Sequence, residues 1–109
     1  MKNLTIKVSL LLLAIALVLP AFASAADTGP ELFKSKCAMC HGANGSANTP
    51  MAKNLKLKDM GSAEVQKMSD AELKTTIEKG KPPKMPAYGS KLSSTQIESL
   101  VKYIRSLKK

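Results

Sequence analysis

Cys37-Ala38-Met39-Cys40-His41 places two thiols and an imidazole within five residues. On a helical turn, residues three and four apart share a face. Cys37 and Cys40 can therefore reach the two vinyl groups on one porphyrin edge and close two thioethers. His41, four residues from Cys37, can place a ring nitrogen on the iron. Cys-x-x-Cys-His is the spacing of covalent haem c attachment. Other chemistries compete for the same residues. A redox dithiol also uses Cys-x-x-Cys, but it needs strands alternating with helices around the pair, and none are evident. A structural zinc site wants four ligands, and the chain holds two cysteines and one histidine. A disulfide across so short a loop would contribute little cross-linking entropy.

Iron in a porphyrin has a second axial position. With a single histidine in the chain, a second imidazole is excluded. Met, Lys, Tyr or no donor remain. Met85 is the leading donor, because Lys84-Met85-Pro86-Ala87-Tyr88 forms a proline-framed loop whose ordering costs little entropy. Met39 lies inside the attachment turn and cannot bend back. Met51, Met60 and Met68 are expected in the core or pocket wall, with Met60 the alternative ligand. A thioether favours ferrous iron, so His41/Met85 ligation raises the reduction potential. Two filled positions suit outer-sphere electron transfer and oppose peroxidase or oxygenase chemistry, so no enzymatic activity is expected.

Helices must position these groups. Residues 29–41 read as a first helix, with Leu32 and Phe33 facing inward. Gly42 to Pro50 is rich in Gly and Asn and reads as a loop. Met51 to Met68 carries no clear period, with a short helix expected at Ala63 to Met68. Ser69-Asp70-Ala71-Glu72 has the form of a capping box, Leu73 and Ile77 share a face, and Gly80 can end that helix. Pro82, Pro83 and Pro86 exclude helix from the next stretch. Ser93 to Gln96 is a second capping box. It opens a helix with Ile97, Leu100, Val101, Ile104 and Leu107 on one stripe. No strand-like alternation and no repeat are evident. The fold class is all-α.

Residues 1–25 have the form of a secretory signal peptide. Lys2 and Lys7 precede an apolar run from Leu10 to Leu19, and Ala23-Ser24-Ala25 offers a cleavage site. The run is short for a membrane span, so no stable insertion is expected once it is removed; an uncleaved anchor is the alternative. Cleavage would leave one domain at 26–109, and the periplasm is the expected compartment. That domain has only Phe33, Tyr88 and Tyr103 as aromatics. A chain this small needs a staple, and a buried porphyrin would supply one.

The formal net charge is +9, and +7 without Lys2 and Lys7. Such a balance permits steering toward an acidic partner. Export and the lack of a nucleic-acid motif argue against nucleic acid.

The mature domain resembles the small monohaem class I cytochromes c over residues 29–107. The resemblance is carried by Cys37, Cys40 and His41, by Gly29, Phe33 and Cys37 at four-residue spacing, by Leu100 and Tyr103, and by Met85-Pro86-Ala87-Tyr88-Gly89. It implies three to five helices wrapped around one haem, with Gly29 admitting a close crossing of the first and last helices. It implies one covalent haem c with its iron, attached at Cys37 and Cys40 and ligated by His41 and Met85. Phe33, Pro50 and Tyr88 are expected to line the pocket. The Pro50 carbonyl would accept from the second ring nitrogen of His41. The expected function is periplasmic electron transfer by a monomer that docks redox proteins transiently. Lys79, Lys81, Lys84 and Lys91 would meet acidic surfaces. Alternatives are a haem-binding subunit of a respiratory or oxidoreductase complex, a gas-binding sensor with a labile sixth ligand, and a haem-free dithiol oxidoreductase.

Overall fold

The structure is a computed structural model that describes residues 28–109. The expected signal peptide lies outside the described residues. Six helical segments follow one another: α1 Gly29–Lys36, α2 Ala38–His41, α3 Pro50–Leu55, α4 Ala63–Gln66, α5 Asp70–Lys79 and α6 Ser94–Ser106. No strand forms among the described residues; a lone antiparallel bridge joins Lys81 to Met85.

The helix expected over 29–41 is interrupted. Cys37 departs from helical geometry at φ −119°, which separates α1 from α2. The segment after Gly42 also departs from expectation, because Pro50 opens α3. Proline suits a first helical position, where its missing N–H is an orphan in any case. Thr49 caps this helix by accepting from the Ala52 amide. The break at Cys37 and the short α3 divide the expected all-α fold into these segments among the described residues.

Both capping boxes form. The Ser69 side chain accepts from the Glu72 amide while Glu72 reaches back to the Ser69 amide, and Ser93 and Gln96 repeat the exchange. Gly80 ends α5 at φ 67°.

The core joins α1, α5 and α6. Leu32 and Phe33 meet Leu73, Ile77, Leu92, Ile97, Leu100, Val101 and Ile104, all buried. The stripe on α6 is therefore its inward face, at roughly 1.5–3 kcal/mol for each large apolar side chain buried. Leu107 is only half-buried and forms the C-cap. The crossing of α1 and α6 is close. A Cβ on Gly29 would drive into the Ser99 carbonyl and lie 3.1 Å from Tyr103 Cβ. The expected role of Gly29 is thus met by its geometry.

Within the poorly patterned stretch Met51 to Met68, the short expected helix forms over Ala63–Gln66, and polar side chains hold its surroundings. Gln66 Nε2 donates to the carbonyls of Met60 (2.8 Å) and Ile104 (2.9 Å). Arg105 on α6 donates to the carbonyls of Gln66 (2.8 Å) and Met68 and to the Asp70 carboxylate (2.8 Å).

Candidate functional site

The attachment residues sit where α1 gives way to α2. Cys37 is the residue between the two helices, and Cys40 and His41 end α2. All three are half-buried, and both cysteines are free thiols. Burial, reinforced by the neighbouring Cys40, pushes the Cys37 thiol up to about 11. Reactive dithiols have the opposite shift, a thiol lowered toward neutrality, so the redox-dithiol reading loses support.

Burial lowers the His41 pKa, which keeps the imidazole neutral near pH 7. Its Nδ1 is buried and has no hydrogen-bond partner. A neutral imidazole can bind a metal through one ring nitrogen while the other takes a hydrogen-bond partner; Nδ1 has no such partner here. The Phe33 ring lies 6.5 Å from the imidazole, centroid to centroid, tilted by 45°. Phe33 also packs on Tyr103 at 5.1 Å. Phe33 on α1 thus lies beside His41 and is backed by Tyr103 of α6.

The Pro50 carbonyl does not take the expected role. Pro50 begins α3, where a carbonyl lies along the helix axis, and His41 Nδ1 finds no acceptor. The link between α3 and the attachment turn runs instead through Thr49. Its hydroxyl donates to the Cys40 carbonyl at 2.6 Å and accepts from Ala52 N–H at 3.0 Å. No sequence pattern announces that bond beyond the capping preference of threonine.

Met85 lies in a tight loop between α5 and α6. Lys81 and Met85 exchange both backbone hydrogen bonds at 2.9 Å, and the Lys84 amide donates to the Lys81 carbonyl at 3.0 Å. Gly80 lets the loop fold back, since a Cβ there would lie 2.5 Å from the Met85 carbonyl oxygen. Met85 is half-buried and packs against the core, as do Cys37, Met68 and Tyr88. All four pack on one core cluster, Tyr88 lies near both cysteine sulfurs, and two free thiols with an imidazole are a donor set suited to a covalently held porphyrin. Cys37, Cys40 and His41 are the residues of the attachment turn that would hold it.

Met60, the alternative ligand, also packs against the core cluster. Its amide donates to the Gly45 carbonyl at 2.9 Å. Its sulfur lies 3.4 Å from the Cβ position of Gly45, which Leu107 also crowds. The side chain is engaged with the loop after His41 and the end of α6.

Tyr88 approaches the attachment turn. Its hydroxyl donates to the Lys36 carbonyl at 3.1 Å, across 52 residues of sequence. Burial, then the two nearby cysteine sulfurs, raises its phenol pKa. Sequence patterning does not reveal this long-range bond. Lys91 holds its ammonium 5.6 Å from the Tyr88 ring centroid, and Lys79, Lys81 and Lys84 are exposed around the same loop. Exposed Met39 lies on the attachment turn itself.

Known proteins resemble this chain. The family described as cytochrome c oxidase, cbb3-type, subunit III matches residues 24–104. Cytochrome c6 of Gloeothece citriformis is 37% identical over 97 residues, covering 88% of this chain and 84% of that protein. The cbb3-type cytochrome c oxidase subunit FixP of Azorhizobium caulinodans is 36% identical over 89 residues. That match covers 81% of this chain, which spans only 29% of FixP. Among solved structures, the KustC0563 c-type cytochrome superposes with a TM-score of 0.70 at 31% identity, covering 75% of this chain and 99% of that one. With this sequence similarity and this helical fold, the chain belongs to the small class I cytochromes c, which carry covalent haem c and transfer electrons.

Proposed function

We propose that this chain is a periplasmic electron carrier whose single haem c is tethered at Cys37 and Cys40 and whose iron is ligated by His41 and Met85. The carrying observation is the closed Met85 loop, pinned by the reciprocal Lys81–Met85 backbone pair and by the Tyr88 bond to the residue before Cys37. When bound, the haem supplies a one-electron couple. The protein supplies the rest. The two thiols fix the porphyrin edge, the buried neutral imidazole is ready to bind metal, and the loop presents a thioether at low entropic cost. Phe33 and Tyr88 contribute apolar walls. No proton or group transfer is needed, and no side chain is assigned a catalytic role.

Residues 1–25 act as the signal peptide in this reading, and 26–109 form the exported monomeric domain. Lys79, Lys81, Lys84 and Lys91 meet an acidic redox partner in a transient encounter. Among the described residues no helix is long and apolar enough to cross a membrane.

The test is the absorption spectrum of the exported holoprotein and of Met85→Ala. The wild type should show a methionine–iron charge-transfer band that the variant lacks. The ferrous variant should also bind carbon monoxide while the wild type resists it. A band that survives in Met85→Ala would return Met60 as the ligand.

A second reading is favoured by the subunit III family match and the FixP likeness. Here the domain serves as a haem-binding part of a terminal oxidase. Stable co-purification with oxidase subunits would select it over the free carrier.

A further inference from the structure

We infer that Tyr88 is a positioning residue whose hydroxyl, bonded to the Lys36 carbonyl, straps the Met85 loop across the haem attachment turn and keeps the sixth ligand seated. The inference rests on Met85 ligation as proposed above. Its support is the distribution of hydrogen bonds around residues 80–92. Tyr88 and Gly89 donate their amides to Ile77 and Glu78 of α5, each at 3.0 Å, and Gly80 donates to Thr76 at 2.8 Å. Lys81, Lys84 and Met85 bond among themselves, and Lys91 and Leu92 donate back to Tyr88. Every one of these bonds returns to α5 or to the loop. Among the described residues, the Tyr88 hydroxyl makes the one hydrogen bond from this loop to the chain that carries Cys37, Cys40 and His41.

The acceptor is well placed. Lys36 ends α1, where helix carbonyls lack the usual partner four residues on, and it immediately precedes Cys37. Tyr88 is three residues beyond Met85. The strap therefore links the carriers of the two axial ligands at their near ends, 52 residues apart in sequence. The ring alone would serve for packing, since Tyr88 is half-buried against the core cluster. The hydroxyl is the part that packing does not explain. With the strap made, the Met85 loop resists swinging away from the iron. With it removed, the loop is still tied to α5 but opens more often.

The test is a spectral titration of ferric holoprotein with imidazole, which competes with Met85 for the iron. Tyr88→Phe retains the ring and removes the bond. Loss of one hydrogen bond from the closed state should tighten apparent imidazole binding about fivefold. Ile104→Val, a core change of comparable stability cost at a site far along α6, should leave imidazole affinity at the wild-type value. If Tyr88→Phe binds imidazole as weakly as the wild type while retaining the charge-transfer band, the strap is refuted and Met85 ligation stands. If both variants tighten equally, the effect is general loosening and the strap is again refuted. Absence of the band from the wild type would overturn Met85 ligation and the strap together.

Discussion

Gly80→Ala should open the ligand loop before it melts the protein. Gly80 sits at φ 67° and ψ −168°, a region open essentially to glycine alone. Holding another residue there costs about 1–3 kcal/mol. A Cβ would also lie 2.5 Å from the Met85 carbonyl oxygen and 2.7 Å from both the carbonyl carbon and oxygen of Pro86. Real Cβ contacts essentially never fall below 3.0 Å, so three backbone atoms must retreat by a few tenths of an ångström. Overpacking of this kind costs about 1–3 kcal/mol. Alanine returns about 0.4–1 kcal/mol by restricting the unfolded chain. The net is roughly 1–6 kcal/mol against the closed loop; the middle of that range, about 3 kcal/mol, is about 150-fold in its opening equilibrium. The helices α1, α5 and α6 keep their contacts, so the strain is relieved locally. In the ferric holoprotein the charge-transfer band should weaken and imidazole should bind at least about fivefold more tightly, while far-UV helicity at 25 °C is unchanged. Thermal unfolding should fall by about 4 °C or more, at 4–8 °C per kcal/mol for a domain of this size. A variant with wild-type imidazole affinity and melting temperature would refute the claim that this backbone fold-back requires glycine.

Three further changes have separate readouts. Arg105→Met removes bonds to the Gln66 and Met68 carbonyls as well as to Asp70; it should cost about 2–3 kcal/mol in urea unfolding. Asp70→Asn, at a side chain 74% exposed, should cost under about 1 kcal/mol, and equal costs would show that the carbonyl contacts contribute nothing. Asp59 is held below the usual carboxylate range by the Lys109 ammonium and the Gly61 amide. A depressed native pKa stabilises above the unfolded value and is lost as pH falls through the native one. The Lys109 amide bond to the Gly61 carbonyl should therefore lose protection below about pH 4 relative to Asp59→Asn measured at each pH; parallel exchange in the two proteins would rule out the linkage. Reversing Lys81 and Lys84 to Glu should slow reduction by an acidic redox partner about tenfold at low salt. An unchanged rate and salt slope would remove those lysines from docking.

Local spacing made much of the helical framework legible. Both capping boxes, the Gly80 stop and the α6 stripe each occupy a few neighbouring residues, and backbone geometry translates such patterns directly into structure. The attachment turn is legible for the same reason, although sequence periodicity passes over the break at Cys37. The segment after His41 is less transparent. Pro50 follows a Gly- and Asn-rich loop and reads as its continuation, yet proline is equally at home opening a helix. Thr49 supplies the cap that decides the matter. The stretch from Met60 to Met68 is harder still, because its order comes from Gln66 and Arg105 reaching carbonyls up to 39 residues away. Side chains that bond across such distances leave no periodic trace.

The same distinction explains how this small site divides its work. Groups expected to hold the porphyrin are encoded in one turn, so the chain can present them as soon as that turn forms. Groups that set how firmly the iron is enclosed are distributed. Phe33 is placed beside His41 by the α1–α6 crossing, a crossing that Gly29 alone admits without displacing the Ser99 carbonyl. Met85 is placed by a loop closed at Gly80 and fastened at Tyr88. Changes at the turn should therefore abolish attachment, whereas changes at Gly29, Gly80 or Tyr88 should leave attachment intact and alter ligand exchange and reduction potential. Sequences that share the pentapeptide can on this reasoning differ widely in iron chemistry, because the determinants of that chemistry lie in the packing of distant elements.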